Sequence, residues 1–596
     1  MSMDSINLNG AWQCTFPDGA RAAVTVPGCF DTAAERWDIG GPVLYERTFQ
    51  YAGVGAARLV FGGVSYHCEV ALNGHPLGSH EGIWDGFDFD ITGALVRGEN
   101  RLTLRVTKPG YDPKDPYPLR QVLSGFIPDV LCAFGGVWDD VRLESAPCFF
   151  VMRHSASGGC DGAGSARCRV RLVKPGAMEA TLRVLDLGDR EVRRLTASRD
   201  LPAGESEWKL PFRVDAPEWW STQTPYLYRY ELTLRCGGQA ETFSRRFGFR
   251  EIAADGDRLL LNGRPVYLRG ILHWGYYEQA MVPNPSEAEI RDELEKIRAF
   301  GFNAVKHCLY IPRQRYFDLM DEYGLLGWVE MPLWLPEDTG LLIGRIRWEY
   351  PRIFEQLRGH PCLSLVSLGC ELDATVDGSI LEEMYHLAKR DLCALVRDNS
   401  GSGECYGGLA VDYADFSDYH FYAELPNLEH LIETFTPGWR TRRPLLFGEF
   451  CDSDTLRDLS DVRREKGVRR LKWESGDARK NPISSLKPDF FAHHHDERME
   501  ASGIRAAFPL LSGLSLNHSL VHRKTTLEMT RSFGAVCGYN ITNLRDVPIA
   551  TSGLLDDLGR PKFDPAAIRR FNQDLVLVPA WDLGRVWIGA DRKSVV

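Results

Sequence analysis

HPCLSLVSLGCELD, residues 360–373, is the stretch from which the rest of the chain can be read. Leu363 to Leu368 is an unbroken run of apolar or small residues that gives way at once to Gly369, Cys370 and Glu371. A strand with one wet face alternates, whereas a continuous apolar run closed by glycine belongs to a strand covered on both faces, as in a parallel sheet. The carboxylate of Glu371 then sits at the C-terminal tip of its strand, the rim at which parallel α/β barrels hold their chemistry. RPLLFGEFCD repeats the pattern, with Leu445, Leu446 and Phe447 running into Gly448 and Glu449. Two buried strands thus each deliver one glutamate to the same rim. At roughly 25–40 residues per strand–helix unit, they lie about two to three units apart, far enough round to face one another. Two facing carboxylates suit acid-catalysed cleavage of a glycosidic bond, one as proton donor and one as nucleophile or base.

The surrounding text has the same rhythm. A hairpin is expected at Asn262-Gly263, then a strand ending in Arg269-Gly270. Ser286 with Glu289 three residues on is a capping-box signature, and Ile290, Leu294, Ile297 and Phe300 follow at helical spacing. FNAVKH reads as a strand, RYFDLMDEYG as a helix closed by Gly324, and LLGWVEMPLW as a strand. This alternation predicts a (β/α)8 TIM barrel over residues 253–572. There is no GxGxxG or Walker loop to suggest a nucleotide, and no cofactor is expected.

Residues 1–148 read differently. Short apolar runs such as LVFGGV and RLTLRVT alternate with turn residues, and Asn73-Gly74 between two such runs signals a hairpin. Residues 149–252 alternate polar and apolar over about seven short strands, as an immunoglobulin-like β-sandwich does. Trp219 and Trp220, in the turn PEWWSTQTP, are expected to pack between domains. Residues 573–590 resemble a linker and the start of a further β-domain. The last six, DRKSVV, match what a common sequencing adapter encodes in one frame. Residues 591–596 are therefore set aside, and the natural C-terminus is expected to lie further on.

At 596 residues the chain is too long for one core. A net charge of −11 without a basic stripe argues against a nucleic-acid surface. There is no apolar run of about 18 residues to span a membrane. The opening MSMDSINLNGAWQ lacks a basic-then-apolar leader, and fifteen cysteines lie scattered without CxxC pairs. A cytoplasmic protein with reduced thiols is the expectation. Homo-oligomerisation is left open.

Several stretches together resemble glycoside hydrolase family 2. They are LNG-W at Leu8 to Trp12, VPG at Val26 to Gly28, NGRPVYLRG, FNAVK…DEYGLLGWVEMPLW, HP…SLVSLGCE, RPLLFGEF and GYNITNLRDVP…TSGLLDDLGRPK. Each is weak alone, but their order and spacing are specific. The resemblance implies a jelly-roll β-sandwich at 1–148, ahead of the immunoglobulin-like domain and barrel. It also implies a retaining, exo-acting β-glycosidase acting on a carbohydrate substrate.

By the same resemblance, Glu371 is the acid/base at the tip of the fourth barrel strand and Glu449 the nucleophile at the seventh. Substrate contacts are expected from Arg269, His273, Tyr310, Glu330, Trp334, Cys370, His420 and Tyr422, with Tyr422 or His420 touching the nucleophile. Cys370 stands where the family has an asparagine that bonds the sugar 2-hydroxyl, and a thiol is a weak substitute. The family's RGVN is RGIL here, so Leu272 replaces its asparagine. These departures carry the alternative reading, a glycan-binding protein that kept the scaffold and lost turnover. No base that would make Cys370 a nucleophile is evident. No metal is expected. Consecutive His493, His494 and His495 point apart and do not share an ion easily. The charged stretch from Cys451 to Met499, directly after Glu449, is expected to be a lid over the catalytic face.

Overall fold

A computed structural model describes residues 3–578 apart from 54, 338, 402–408, 410, 437–441 and 488–492. The expectations for 579–596 lie outside the described residues. The first sandwich faces a six-stranded antiparallel sheet, from Arg21–Val26 at one edge to His75–Glu81 at the other, against a four-stranded one. Alternation does the sorting. In Gly98–Thr107, Asn100, Leu102, Leu104 and Val106 are buried while Glu99, Arg101 and Arg105 are exposed. Asn73 and Gly74 close a two-residue hairpin, Leu72 pairing with His75, at φ of 53° and 82°. Both central residues are left-handed there, which Asn-Gly tolerates.

The second sandwich sets three strands, Phe149–Gly158, Ala163–Leu172 and Gly204–Arg213, against four, Gly176–Leu185, Glu191–Leu201, Tyr228–Cys236 and Gln239–Phe247. It is fastened to the foot of the barrel. The fully buried Trp220 donates its indole N–H to the Asp321 carbonyl at 2.8 Å, and Arg250 donates to the Pro361 carbonyl at 2.9 Å. Trp219 remains 43% exposed, so only one of the paired tryptophans packs between domains.

The barrel strands are β1 (Leu268–His273), β2 (Ala304–His307), β3 (Leu326–Glu330), β4 (Leu363–Ser367), β5 (Leu395–Arg397), β6 (Ser417–Phe421), β7 (Leu445–Phe450) and β8 (Val536–Ile541). All pair in parallel in the order β5-β4-β3-β2-β1-β8-β7-β6, a nearly closed barrel whose paired series ends at β5 and β6. Every residue of β4 and β7 is buried, as their unbroken apolar runs require. Helices supply the outer cover. The first, α1 (Glu287–Ala299), opens with the Ser286–Glu289 capping box and turns Ile290, Leu294 and Ile297 inward. The second, α2 (Gln314–Tyr323), stops at Gly324 with φ 66°. Among the described residues no helix is long and apolar enough to cross a membrane, and the described cysteines form no disulfide.

Two insertions reach the barrel rim. Residues 119–135 of the first sandwich lie against it so closely that a Cβ on Gly125 would be 2.0 Å from the Leu309 carbonyl oxygen. The stretch after β7 is not a slack loop. Short helices at Ser460–Lys466 and Pro482–Leu486 bring Val462 and Ile483 into an apolar cluster with Leu459, Leu471 and Trp473, and another short helix follows at His495–Ala501. Trp473 donates to Glu278 Oε2 at 3.2 Å, and Asn481 donates to the Leu131 carbonyl at 2.5 Å, tying the stretch to the β1–α1 connection and to the first sandwich.

Candidate active site

Glu371 leaves the tip of β4 in a left-handed turn, φ 50°, with its backbone N–H on the Ser400 carbonyl at 2.8 Å. A non-glycine residue there costs on the order of 1–3 kcal/mol, held by the surrounding ladder. Glu449 is on β7 itself, beside a glycine with a definite reason: a Cβ on Gly448 would lie 2.0 Å from Asp418 Oδ1. The two glutamates meet at one imidazole. His420 Nδ1, at the end of β6, lies 2.9 Å from Glu371 Oε1 and 3.7 Å from Glu449 Oε2, so these oxygens are at most about 6.6 Å apart, the sum of the two reaches.

Donors surround Glu449. Tyr422 donates its hydroxyl to Oε2 at 2.7 Å, while Lys306 Nζ and Cys308 Sγ stand 3.5 Å and 3.7 Å from Oε1. Burial raises the pKa of this carboxyl from its ordinary value against the opposing pull of His420 and Lys306. Lys306 is fully buried, 2.7 Å from Glu330 Oε1 and 2.9 Å from Ser400 Oγ. Burial alone would lower its pKa, but Glu330, Glu449 and Asp418 together hold the ammonium well above its ordinary value. Glu330 thus lies beneath the glutamate pair as the counter-ion of Lys306.

Glu371 has a second partner in Trp334, which donates its indole N–H to Oε2 at 3.2 Å. Phe126 of the first sandwich stacks on Trp274 at 4.7 Å between ring centres and tilts against Trp334 at 5.6 Å. Arg120, from the same insertion, holds its guanidinium 5.7 Å over the Trp334 ring. The pair therefore opens to solvent beside an aromatic wall built by two domains. Tyr422, 49% exposed, stands at the same opening.

Cys370 is buried, and burial followed by Glu330, Glu371 and Glu449 pushes its thiol well above the ordinary cysteine range. A protonated, enclosed thiol is not a nucleophile. Cys370, His420, Glu330 and Glu449 offer ligand atoms all within 4.8 Å of one another, a set that could hold a cation. The Lys306 ammonium already fills that charge role, 2.7 Å from Glu330 and 3.5 Å from Glu449. A second such group, Asp321, His360 and Cys362, is satisfied internally at the foot of β4, His360 Nδ1 lying 2.7 Å from Asp321 Oδ2. Neither group includes His493, His494 or His495.

Seven of the ten residues expected from sequence come together here: Glu371, Glu449, Glu330, Trp334, Cys370, His420 and Tyr422. Three are committed elsewhere. Arg269 lies near the start of β1, away from the catalytic tips, with its guanidinium on the Gly301 carbonyl at 2.9 Å and Asp574 at 2.6 Å. It braces the foot of the barrel. His273 is drawn into a buried network behind the rim, Nε2 3.1 Å from Glu293, which also binds Arg545 at 2.7 Å. Tyr310 is buried, its hydroxyl 2.9 Å from His307 Nδ1. Sequence reasoning missed Lys306, Ser400 and Asp418. The available signal was a charged residue inside an otherwise apolar strand, as in FNAVKH.

The family models that match are "Glycosyl hydrolases family 2" over residues 159–250 and "Glycosyl hydrolase 2 galactose-binding domain-like" over residues 33–122. Among curated proteins, a β-galactosidase of Arthrobacter sp. (strain B7) is 28% identical over 349 residues, 55% of this chain and 31% of that protein. A putative β-glucuronidase of Formosa agariphila is 28% identical over 321 residues, covering 53% and 38%. The chain thus spans about a third of the length of these relatives. Among solved structures, a β-galacturonidase from Eisenbergiella tayi superposes with TM-score 0.73 at 19% identity, over 98% of both chains. A β-D-mannosidase from Dictyoglomus thermophilum gives TM-score 0.76 at 17% identity over 96% of this chain and 78% of that one. At these identities the superpositions speak for the fold.

Proposed function

Because the chain belongs to glycosyl hydrolase family 2, we propose that it is a retaining, exo-acting β-glycosidase, with Glu371 as acid/base and Glu449 as nucleophile. The observation that carries this reading is the imidazole shared by both carboxylates. Retaining enzymes set their carboxyl groups about 5–5.5 Å apart, and inverting enzymes about 6.5–9.5 Å apart to admit a water. The bound of about 6.6 Å between Glu371 Oε1 and Glu449 Oε2 favours the first. Glu449 attacks the anomeric carbon while Glu371 protonates the leaving oxygen. Water, deprotonated by Glu371, then releases the sugar from Glu449 with net retention.

Tyr422 and Lys306 stabilise the Glu449 carboxylate that must leave in the second step. Trp334 orients Glu371 and offers a ring to the sugar face. The insertion from residues 119–135 walls the site, which suits removal of single terminal sugars. The substrate class is a β-galactoside, β-glucuronide or β-mannoside. With Cys370 in place of an amide, less of the transition-state binding comes from the sugar 2-hydroxyl.

A panel of aryl β-glycosides tests the reading. Turnover of one or more, abolished in Glu449→Ala, supports it. Tight sugar binding without turnover in the unmodified protein favours the alternative, a glycan-binding scaffold.

A further inference from the structure

We infer that His420 holds the proton that Glu371 delivers, and that Ser400 and Asp418 decide which ring nitrogen carries it; the inference rests on Glu371 being the acid of the proposed reaction. Ser400 has one hydroxyl proton, and it is directed to Asp418 Oδ2. Lys306, a donor only, takes one lone pair of Ser400 Oγ at 2.9 Å. His420 Nε2 lies 3.0 Å from Ser400 Oγ and meets the lone pair that remains, so Nε2 carries a hydrogen. The other nitrogen faces carboxylates: Glu371 Oε1 at 2.9 Å and Glu449 Oε2 at 3.7 Å. A bare lone pair there would oppose two oxygens. One further proton resolves the contact, as imidazolium beside carboxylate or imidazole beside carboxylic acid, and belongs to the pair.

Among the described residues, the groups that face this imidazole include Glu371 beyond β4, Asp418 on β6, Glu449 on β7, Lys306 on β2 and Glu330 on β3. The thiol of Cys370 belongs to the same cluster. Burial disfavours the imidazolium, Glu449 favours it, Lys306 opposes it, and Glu371 and Asp418 favour it again. The balance raises the His420 pKa above its ordinary value.

The proton count closes over one turnover. As C1–O breaks and the bond from C1 to a Glu449 oxygen forms, the leaving oxygen takes the pair's proton. Glu371 is then a carboxylate facing a bare Nδ1. The repulsion between that lone pair and the carboxylate makes Glu371 a stronger base at the moment when water must lose a proton. Water attacks C1, Glu449 departs as carboxylate, and the water's proton returns to the pair. His420 is in this account the holder of a reacting proton, whereas Ser400 is a positioning residue.

The test compares the unmodified enzyme, Glu371→Gln, His420→Asn and Ser400→Ala on aryl β-glycosides running from dinitrophenyl to methylphenyl leaving groups. Folding of each variant is checked by circular dichroism. His420→Asn should slow methylphenyl substrates at least about tenfold more than dinitrophenyl ones, as Glu371→Gln does, because only poor leaving groups need the proton. Ser400→Ala should move the alkaline limb of kcat/KM to lower pH by about one unit, since Nε2–H loses its acceptor. Equal slowing of all substrates by His420→Asn, or an unmoved alkaline limb in Ser400→Ala, overturns the inference. An unmodified protein that leaves even dinitrophenyl glycosides intact overturns the hydrolase reading beneath it, a distinguishable failure.

Discussion

The hydroxyl of Tyr422 donates to Glu449 Oε2 at 2.7 Å while half of the tyrosine stays in contact with solvent. The strongest neutral donor to the proposed nucleophile is therefore a residue at the mouth of the site. A hydrogen bond to a charged acceptor contributes about 1.5–3 kcal/mol. Tyr422→Phe should lower kcat/KM by roughly 10- to 150-fold with little change in thermal stability. Steady-state kinetics on the best aryl glycoside, beside a melting curve, checks both halves.

Trp334 holds the other glutamate, with its indole N–H 3.2 Å from Glu371 Oε2. Trp334→Phe keeps a ring for the sugar but removes the donor. The expected result is a fall in kcat of about tenfold or less, with KM changing less than it does in Trp334→Ala.

Lys306 and Glu330 form a wholly buried ion pair. Removing one partner leaves an uncompensated charge, which typically costs about 3–5 kcal/mol. Lys306→Met should lower the melting temperature clearly and abolish turnover. Adding Glu330→Gln should recover part of the stability but not the activity, because Glu449 still lacks its cation.

Arg269 provides the contrasting case. Its contacts with Gly301 and Asp574 are at the foot of the barrel. Arg269→Ala should reduce stability while leaving kcat/KM within about twofold of the unmodified enzyme. A large loss of kcat/KM with the melting temperature unchanged would return Arg269 to the substrate site.

Glu293 sets an acid limit on stability. Burial would raise its pKa, but His273, Arg545 and the Tyr316 hydroxyl prevail and lower it to about 2. A carboxyl depressed on folding stabilises the native state fully above its unfolded pKa, near 4.3, and loses that contribution as pH falls through the folded value. For a group this buried, the contribution is about 3 kcal/mol. The stability difference between the unmodified protein and Glu293→Gln should therefore shrink as pH falls from about 5 to 2, read from denaturant midpoints at each pH.

Much of this fold was legible because its signals are local. Continuous apolar runs marked β4 and β7, Ser286 and Glu289 marked the start of α1, Gly324 marked the end of α2, and two Asn-Gly pairs marked hairpins. Glu371 and Glu449 stood out because each ends such a run. What escaped was set by tertiary contact. Nothing in FNAVKH tells whether Lys306 points into the barrel beneath Glu449 or outward to a helix. Arg269 and His273 share one strand, yet the first is near its foot and the second is turned toward α1 by Glu293, an acid 20 positions on. The role of residues 119–135 as a wall of the site could not be read either, since it depends on how a β-sandwich docks on a barrel rim.

In the proposed reaction Glu449 forms a covalent bond to the sugar, and trapping reveals that bond. Incubation with 2-deoxy-2-fluoro β-glycosyl fluorides of the galacto, gluco and manno series, followed by intact mass and peptide mapping, should reveal one added sugar on the peptide containing Glu449. A sugar on a different side chain, or turnover of the unfluorinated glycosides with inversion at the anomeric carbon, would contradict the account.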